Sequence, residues 1–111
     1  MENIDTKHLC ENIGIQSSIV EKIENKRPLW VREHQPDIYW IKYFVLQDLN
    51  EDLISYNSIE FEKIGLTKES ATEFCNWIKG KKFAEHQSPS YWLDMFLENK
   101  YVEYVDEFCT K

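Results

Sequence analysis

Gly14, Gly65 and Gly80 are the chain's three glycines in 111 residues, and each follows a segment whose apolar residues recur at steps of three and four. Glycine at such a place is the residue that takes the left-handed conformation past a helix end, because it has no Cβ to clash there. All three read as helix stops. Ahead of the first, Asp5 is placed to cap a short helix through Ile13. After it, Ser18-Ile19-Val20-Glu21 matches a capping box, opening a helix that runs to about Lys26, before Pro28.

Beyond the irregular PLWVREHQ, Pro36 fits a first helical turn and Asp37 suits the positive end of the helix dipole. Ile38, Ile41, Val45, Leu49 and Leu53 then fall on one stripe, and Tyr39, Trp40, Tyr43 and Phe44 make the early turns apolar nearly all round. That pattern predicts the central, most buried helix. Residues 38–46 are also rich in β-formers, so strand is the competing reading; the absence of a following Asn-Gly or Asp-Gly hairpin turn favours helix. Asn57 with Glu60 starts a brief helix, and Thr67 caps the next, in which Ala71, Phe74, Cys75 and Ile78 form one apolar face. Cys75 is there a small core residue rather than a nucleophile. Lys79, Lys81 and Lys82 gather at that helix's carboxyl end, where the dipole favours positive charge.

Ser88 caps and Pro89 opens a further helix with Trp92, Leu93, Met95, Phe96 and Leu97, which Asn99-Lys100 is expected to interrupt. A last helix carries Tyr101, Tyr104, Val105 and Phe108 toward the core and Glu103, Asp106 and Glu107 on its back. No internal repeat or linker is visible. The expected fold is all-α, a compact single-domain bundle of about five or six short helices over residues 1–111. An α+β arrangement with a small antiparallel sheet is the alternative, since the chain uses only Ala71 and Ala84 of the best helix former. At this length folding hides roughly 65% of the surface of the unfolded chain, enough for one core.

The formal charge of −7, from 20 acidic and 13 basic residues, repels phosphate backbones and anionic lipid headgroups. Nucleic acid and membrane are thus disfavoured partners, and a basic protein surface is favoured. Cys10, Cys75 and Cys109 include no CxxC pair and read as reduced thiols of a cytoplasmic protein. MENIDTKHLC lacks the basic flank and apolar run of a signal peptide, and the apolar residues around Lys42 are too few to cross a bilayer.

Catalytic and metal motifs are missing from the sequence: there is no GxSxG, P-loop, HExxH or dinucleotide fingerprint. His8 with Glu11 is a one-turn pair short of a metal set, His34 near Asp37 lacks a nucleophile, and His86 lies beside the capping Ser88. Neither cofactor nor enzymatic activity is expected.

LCENIGIQSSIVEKIENKRP, Leu9 to Pro28, resembles the second and third helices of phage-repressor-type helix-turn-helix domains, with Gly14 at the turn. The resemblance implies a DNA-binding regulator presenting Lys22, Lys26, Arg27 and Arg32 with Trp30, but Glu21 and Glu24 place negative charge on the would-be recognition helix. The reading that best fits composition and patterning is a small acidic protein that binds and inhibits or regulates a basic protein, of the immunity-protein or phage-inhibitor type. Glu103, Asp106 and Glu107, then Asp48, Glu51 and Asp52, are the expected contact residues. The aromatic wealth also leaves a homodimer interface open.

Overall fold

A computed structural model of the chain describes residues 6–26, 37–50, 56–81 and 87–108. Among them are six α-helices: α1 Thr6–Ile13, α2 Ser17–Lys26, α3 Asp37–Leu46, α4 Ser58–Lys63, α5 Lys68–Lys79 and α6 Pro89–Phe108. The architecture is all-α, and residues 38–46 are helical. Asp5, Pro36 and Leu53 lie outside the described residues.

Three helix starts follow from side-chain chemistry. The Asn57 side-chain oxygen accepts from Glu60 N–H at 3.2 Å, Thr67 Oγ1 from Ser70 N–H at 3.3 Å, and Ser88 Oγ from Tyr91 N–H at 3.3 Å. Each satisfies a backbone donor that the helix itself leaves open. The α2 start differs from expectation: Ile19 N–H bonds to Gln16 O, so Ser18 lies inside the first turn rather than capping it.

Two glycine junctions organise the bundle. Gly14 at φ +84° and Gly65 at φ +124° are the positive-φ residues among those described. At the first junction Ile15 N–H reaches back to Cys10 O at 2.8 Å, and at the second Leu66 N–H reaches Phe61 O at 3.1 Å. This is the Schellman arrangement, which satisfies carbonyls at a helix end and folds the next apolar side chain inward. Ile15 and Leu66 are both buried and form an isolated antiparallel bridge. Gln16 N–H donates to Gly65 O at 2.7 Å, and Thr67 N–H donates to Gly14 O at 2.9 Å. The α1–α2 and α4–α5 pairs are therefore joined reciprocally. Glu11-Asn12-Ile13-Gly14-Ile15 and Glu62-Lys63-Ile64-Gly65-Leu66 share a short pattern that underlies this pairing, a local repeat that the sequence reading passed over.

Gly80 behaves otherwise. Its φ is −84°, and its N–H still bonds to the Trp77 and Ile78 carbonyls, so α5 ends without a left-handed residue.

The core is continuous across the helices. Leu9, Ile13, Ile19, Ile23, Ile41, Val45, Phe61, Phe74, Leu93 and Leu97 are all buried. Phe74 meets Phe61 at 4.8 Å and Phe96 at 5.2 Å, both edge-on, while Trp77 lies 5.7 Å from Phe96. Such aromatic pairs add about 0.5–1.5 kcal/mol beyond burial of their area. They lock α4, α5 and the middle of α6 into one packed unit.

Two expectations about the long helices are corrected. The C-terminal stretch is one helix of 20 residues, uninterrupted at Asn99-Lys100. Neither residue breaks a helix, and Lys100 is held by an ion pair to Glu73 of α5 while lying 5.6 Å from the Phe96 ring centre. Helix α3 stops at Leu46 and is one-sided: Ile38, Ile41, Phe44 and Val45 are buried, whereas Tyr39 and Tyr43 are 46% and 51% exposed. An all-round apolar helix was expected to be surrounded; α2 and α6 cover α3, and two tyrosines remain outside.

Candidate functional site

Helices α1 and α6 both lack the dipole-matching end charges that α4 and α5 carry. Helices α4 and α5 have an acid in the first turn, Glu60 and Glu69, and a lysine in the last, Lys63 and Lys79. That arrangement complements the helix dipole. Helix α6 has no acid in its first turn and no base in its last. Its final turns instead carry Glu103, Asp106 and Glu107, all exposed and on one face, at the end where the backbone is already partly negative. Through the dipole alone, an acid in the last turn of a helix costs roughly 0.3–1 kcal/mol at low salt.

The opposite face of the same turns is held by α1. Tyr104 is buried, and its hydroxyl lies 2.6 Å from His8 Nδ1. Asn12 Nδ2 lies 3.3 Å from His8 Nε2 and can only donate, so Nε2 accepts and Nδ1–H donates to Tyr104. With both ring nitrogens engaged, His8 serves as a strut between α1 and α6. Among the described residues, no group of three or more His, Cys, Asp or Glu side chains is placed to hold a metal ion. Phe108, expected in the core, is 40% exposed and touches His8 and Tyr104 from the rim.

Asp48 has different neighbours. It lies just past α3, 3.9 Å from Lys22 of α2, and lines a cleft of about 180 Å³ with Leu49, Asn50, Glu60, Lys63 and Ile64. Glu51 and Asp52 lie outside the described residues, as do His34, His86, Arg27, Trp30 and Arg32. The helical pair seen in the Leu9–Pro28 resemblance is present as α1 and α2, and α2 turns Glu21 and Glu24 to solvent.

A surface that sequence reasoning missed lies between α3 and α6. Tyr39, Tyr43, Leu46 and Gln47, with Lys42 and Asp94, line an open groove of about 430 Å³. Lys42 Nζ is 2.7 Å from Asp94 and 2.5 Å from Glu98. The lysine side chain is 19% exposed, while the two carboxylates are 51% and 47% exposed. Burial works against the ammonium, but hydrogen bonds and attraction from Asp94 and Glu98 outweigh it and raise the Lys42 pKa above its ordinary value. The spacing of Asp94 and Glu98, one turn apart on α6, was visible in sequence; their convergence on Lys42 was not.

Cys10 and Cys75 are buried thiols outside any disulfide. Burial pushes the Cys75 pKa up against the opposing influence of Lys79, the direction of an inert core thiol rather than an activated one. Among the described residues no helix is long and apolar enough to cross a membrane.

Fold and surface together define an all-helical bundle with an acidic helix end and an acid-rimmed aromatic groove. No family model, curated protein or solved structure matches the chain. The functional reading comes from the surfaces just described.

Proposed function

We propose that the protein is a cytoplasmic binding protein, without catalytic activity, that inhibits or regulates a partner by covering a basic surface, in the manner of immunity proteins and phage-encoded inhibitors. The observation that carries this reading is the placement of Glu103, Asp106 and Glu107 at the wrong end of α6 for stability. The dipole disfavours acids at that end of a helix, whereas a cationic surface docking there gains from both the carboxylates and the dipole. The net charge of −7 adds long-range attraction toward a basic partner.

The test is affinity purification of tagged protein from its native lysate at moderate salt, alongside the variant Glu103→Lys/Asp106→Lys/Glu107→Lys. A basic protein retained in stoichiometric amount by the wild type, released by salt and lost with the variant, is the expected outcome. Equal retention by both proteins would remove the site, and retention of duplex DNA instead would favour the helix-turn-helix reading of α1 and α2.

A further inference from the structure

We infer that the groove between α3 and α6 receives a basic amphipathic helix of the partner protein, its apolar side against Tyr39, Tyr43 and Leu46 and its Arg or Lys side chains on Asp94 and Glu98. The inference deepens the proposed function and rests on it in requiring a basic partner.

The occupant follows from charge and shape. Three charged side chains converge at the groove, one cation and two anions, so the site keeps a net negative charge. The distribution matters more than the sum. The positive group is the covered one, and the half-exposed carboxylates are what a visitor meets; each oxygen pair has acceptor capacity left after bonding Lys42. An acidic or neutral apolar helix would leave that capacity unused or be repelled, while a guanidinium or ammonium would complete it.

The wall suits the same occupant. Tyr43 meets Trp40 at 5.9 Å and Phe44 at 5.2 Å, both edge-on, and Tyr39 meets Trp40 edge-on at 4.9 Å. The tyrosines are thus braced along one side by their own helix, and they offer apolar area at little entropic cost to a docking helix. Their ring faces also attract cations. Seating an amphipathic helix in a trough between two helices uses apolar anchors one turn apart, and Tyr39, Tyr43 and Leu46 supply that spacing.

The experiment titrates the full chain with a short amphipathic helical peptide of leucine and arginine, and with the same peptide carrying glutamate in place of arginine. Binding is read by calorimetry and by backbone-amide NMR shifts. Expected are saturable binding of the arginine peptide and shifts concentrated on α3 and on Tyr91 to Glu98. Tyr39→Ser and Tyr43→Ser, which leave the Lys42 ion pairs in place, should each weaken it about tenfold. Asp94→Asn/Glu98→Gln should weaken it likewise, and Glu103→Gln/Asp106→Asn/Glu107→Gln should not. Equal binding of the glutamate peptide, shifts away from the groove, or indifference to the tyrosine variants would overturn the inference. So would concentration-dependent dimerisation abolished by Tyr43→Ser, which would assign the groove to a second copy of the chain. If the groove binds no peptide while a lysate partner still depends on Glu103, Asp106 and Glu107, this inference fails and the proposed function stands. Peptide binding at the groove that depends on Tyr39 and Tyr43 supports the inference even if the partner recovered is insensitive to Glu103, Asp106 and Glu107, an outcome that overturns only the proposed helix-end site.

Discussion

Gly14 and Gly65 stand at equivalent places in two helix pairs, exchange equivalent hydrogen bonds across the Ile15–Leu66 bridge, and are nevertheless required for different reasons. At Gly14 the dihedral of +84° is close to what Asn and, at a cost, other residues adopt. Space is the constraint there: a Cβ would run into Ser70 Cβ and Oγ, close to the α5 backbone and unable to swing away. At Gly65 the neighbours are Ile19 Cγ1 and Cδ1, at 2.6 and 2.8 Å from such a Cβ, on a buried apolar side chain rather than beside a helix backbone. What distinguishes Gly65 is the dihedral, +124°, well outside the left-handed α well. The same local motif is thus closed by a polar helix start on one side and by an apolar side chain on the other.

The largest expected effect breaks the junctions directly. Gly14→Ala should cost about 2–5 kcal/mol, the sum of a left-handed penalty and overpacking against α5. Gly65→Ala should cost about 1–3 kcal/mol, chiefly backbone strain. Urea unfolding of both, repeated with Ser70→Gly in the first and Ile19→Val in the second, sharpens the contrast: a favourable coupling above about 0.5 kcal/mol is expected for the first pair only. Coupling in both would show that space decides at each junction.

A smaller effect separates the side chains that clamp the two junctions. Gln16 Nε2 donates to Glu62 O at 2.7 Å and Leu66 O at 2.6 Å, whereas Ser70 Oγ donates to Gly14 O at 2.5 Å. Gln16→Ala should therefore cost about 1–3 kcal/mol and Ser70→Ala about 0.5–1.5 kcal/mol, read by the same unfolding assay. An equal loss would mean that one of the two Gln16 bonds adds nothing.

The smallest effect lies outside the junctions, at the groove. The Lys42 pKa is raised by folding above its ordinary 10.5, so the folded chain holds that proton more tightly than the unfolded chain. Its contribution to stability is complete below 10.5 and fades as pH rises through the folded value. Wild type should lose more stability than Lys42→Gln across that alkaline range; parallel curves would show that Asp94 and Glu98 do not bind it in solution. Solvent around the half-exposed carboxylates keeps this effect modest.

Much of the helix order was legible because its signals are local. Asn57, Thr67 and Ser88 each cap through an atom three residues from the donor it satisfies, and Ala71, Phe74, Cys75 and Ile78 sit on one face at any helical phase. Gly80 marked the helix end but not its hand, because a helix can also end in right-handed geometry, and Asn99-Lys100 misled because polarity was taken for a break. At the candidate site, the exposed row of Glu103, Asp106 and Glu107 was readable from spacing alone. The groove was not: Tyr39 and Tyr43 looked like core until the packing partners of α3 were known, and Lys42 is separated from Glu98 by 56 positions.

By itself the sequence determined the all-helical class, the caps at Asn57, Thr67 and Ser88, the left-handed turns at Gly14 and Gly65, the acid excess and the apolar face of α5, since each depends on residues within a turn or two of one another. Only tertiary structure decided which apolar residues stay outside, where two distant carboxylates meet one lysine, and that two short glycine motifs bind each other. Those outcomes depend on which helix faces are already occupied when the chain closes, and occupancy is a property of the whole packing rather than of any segment.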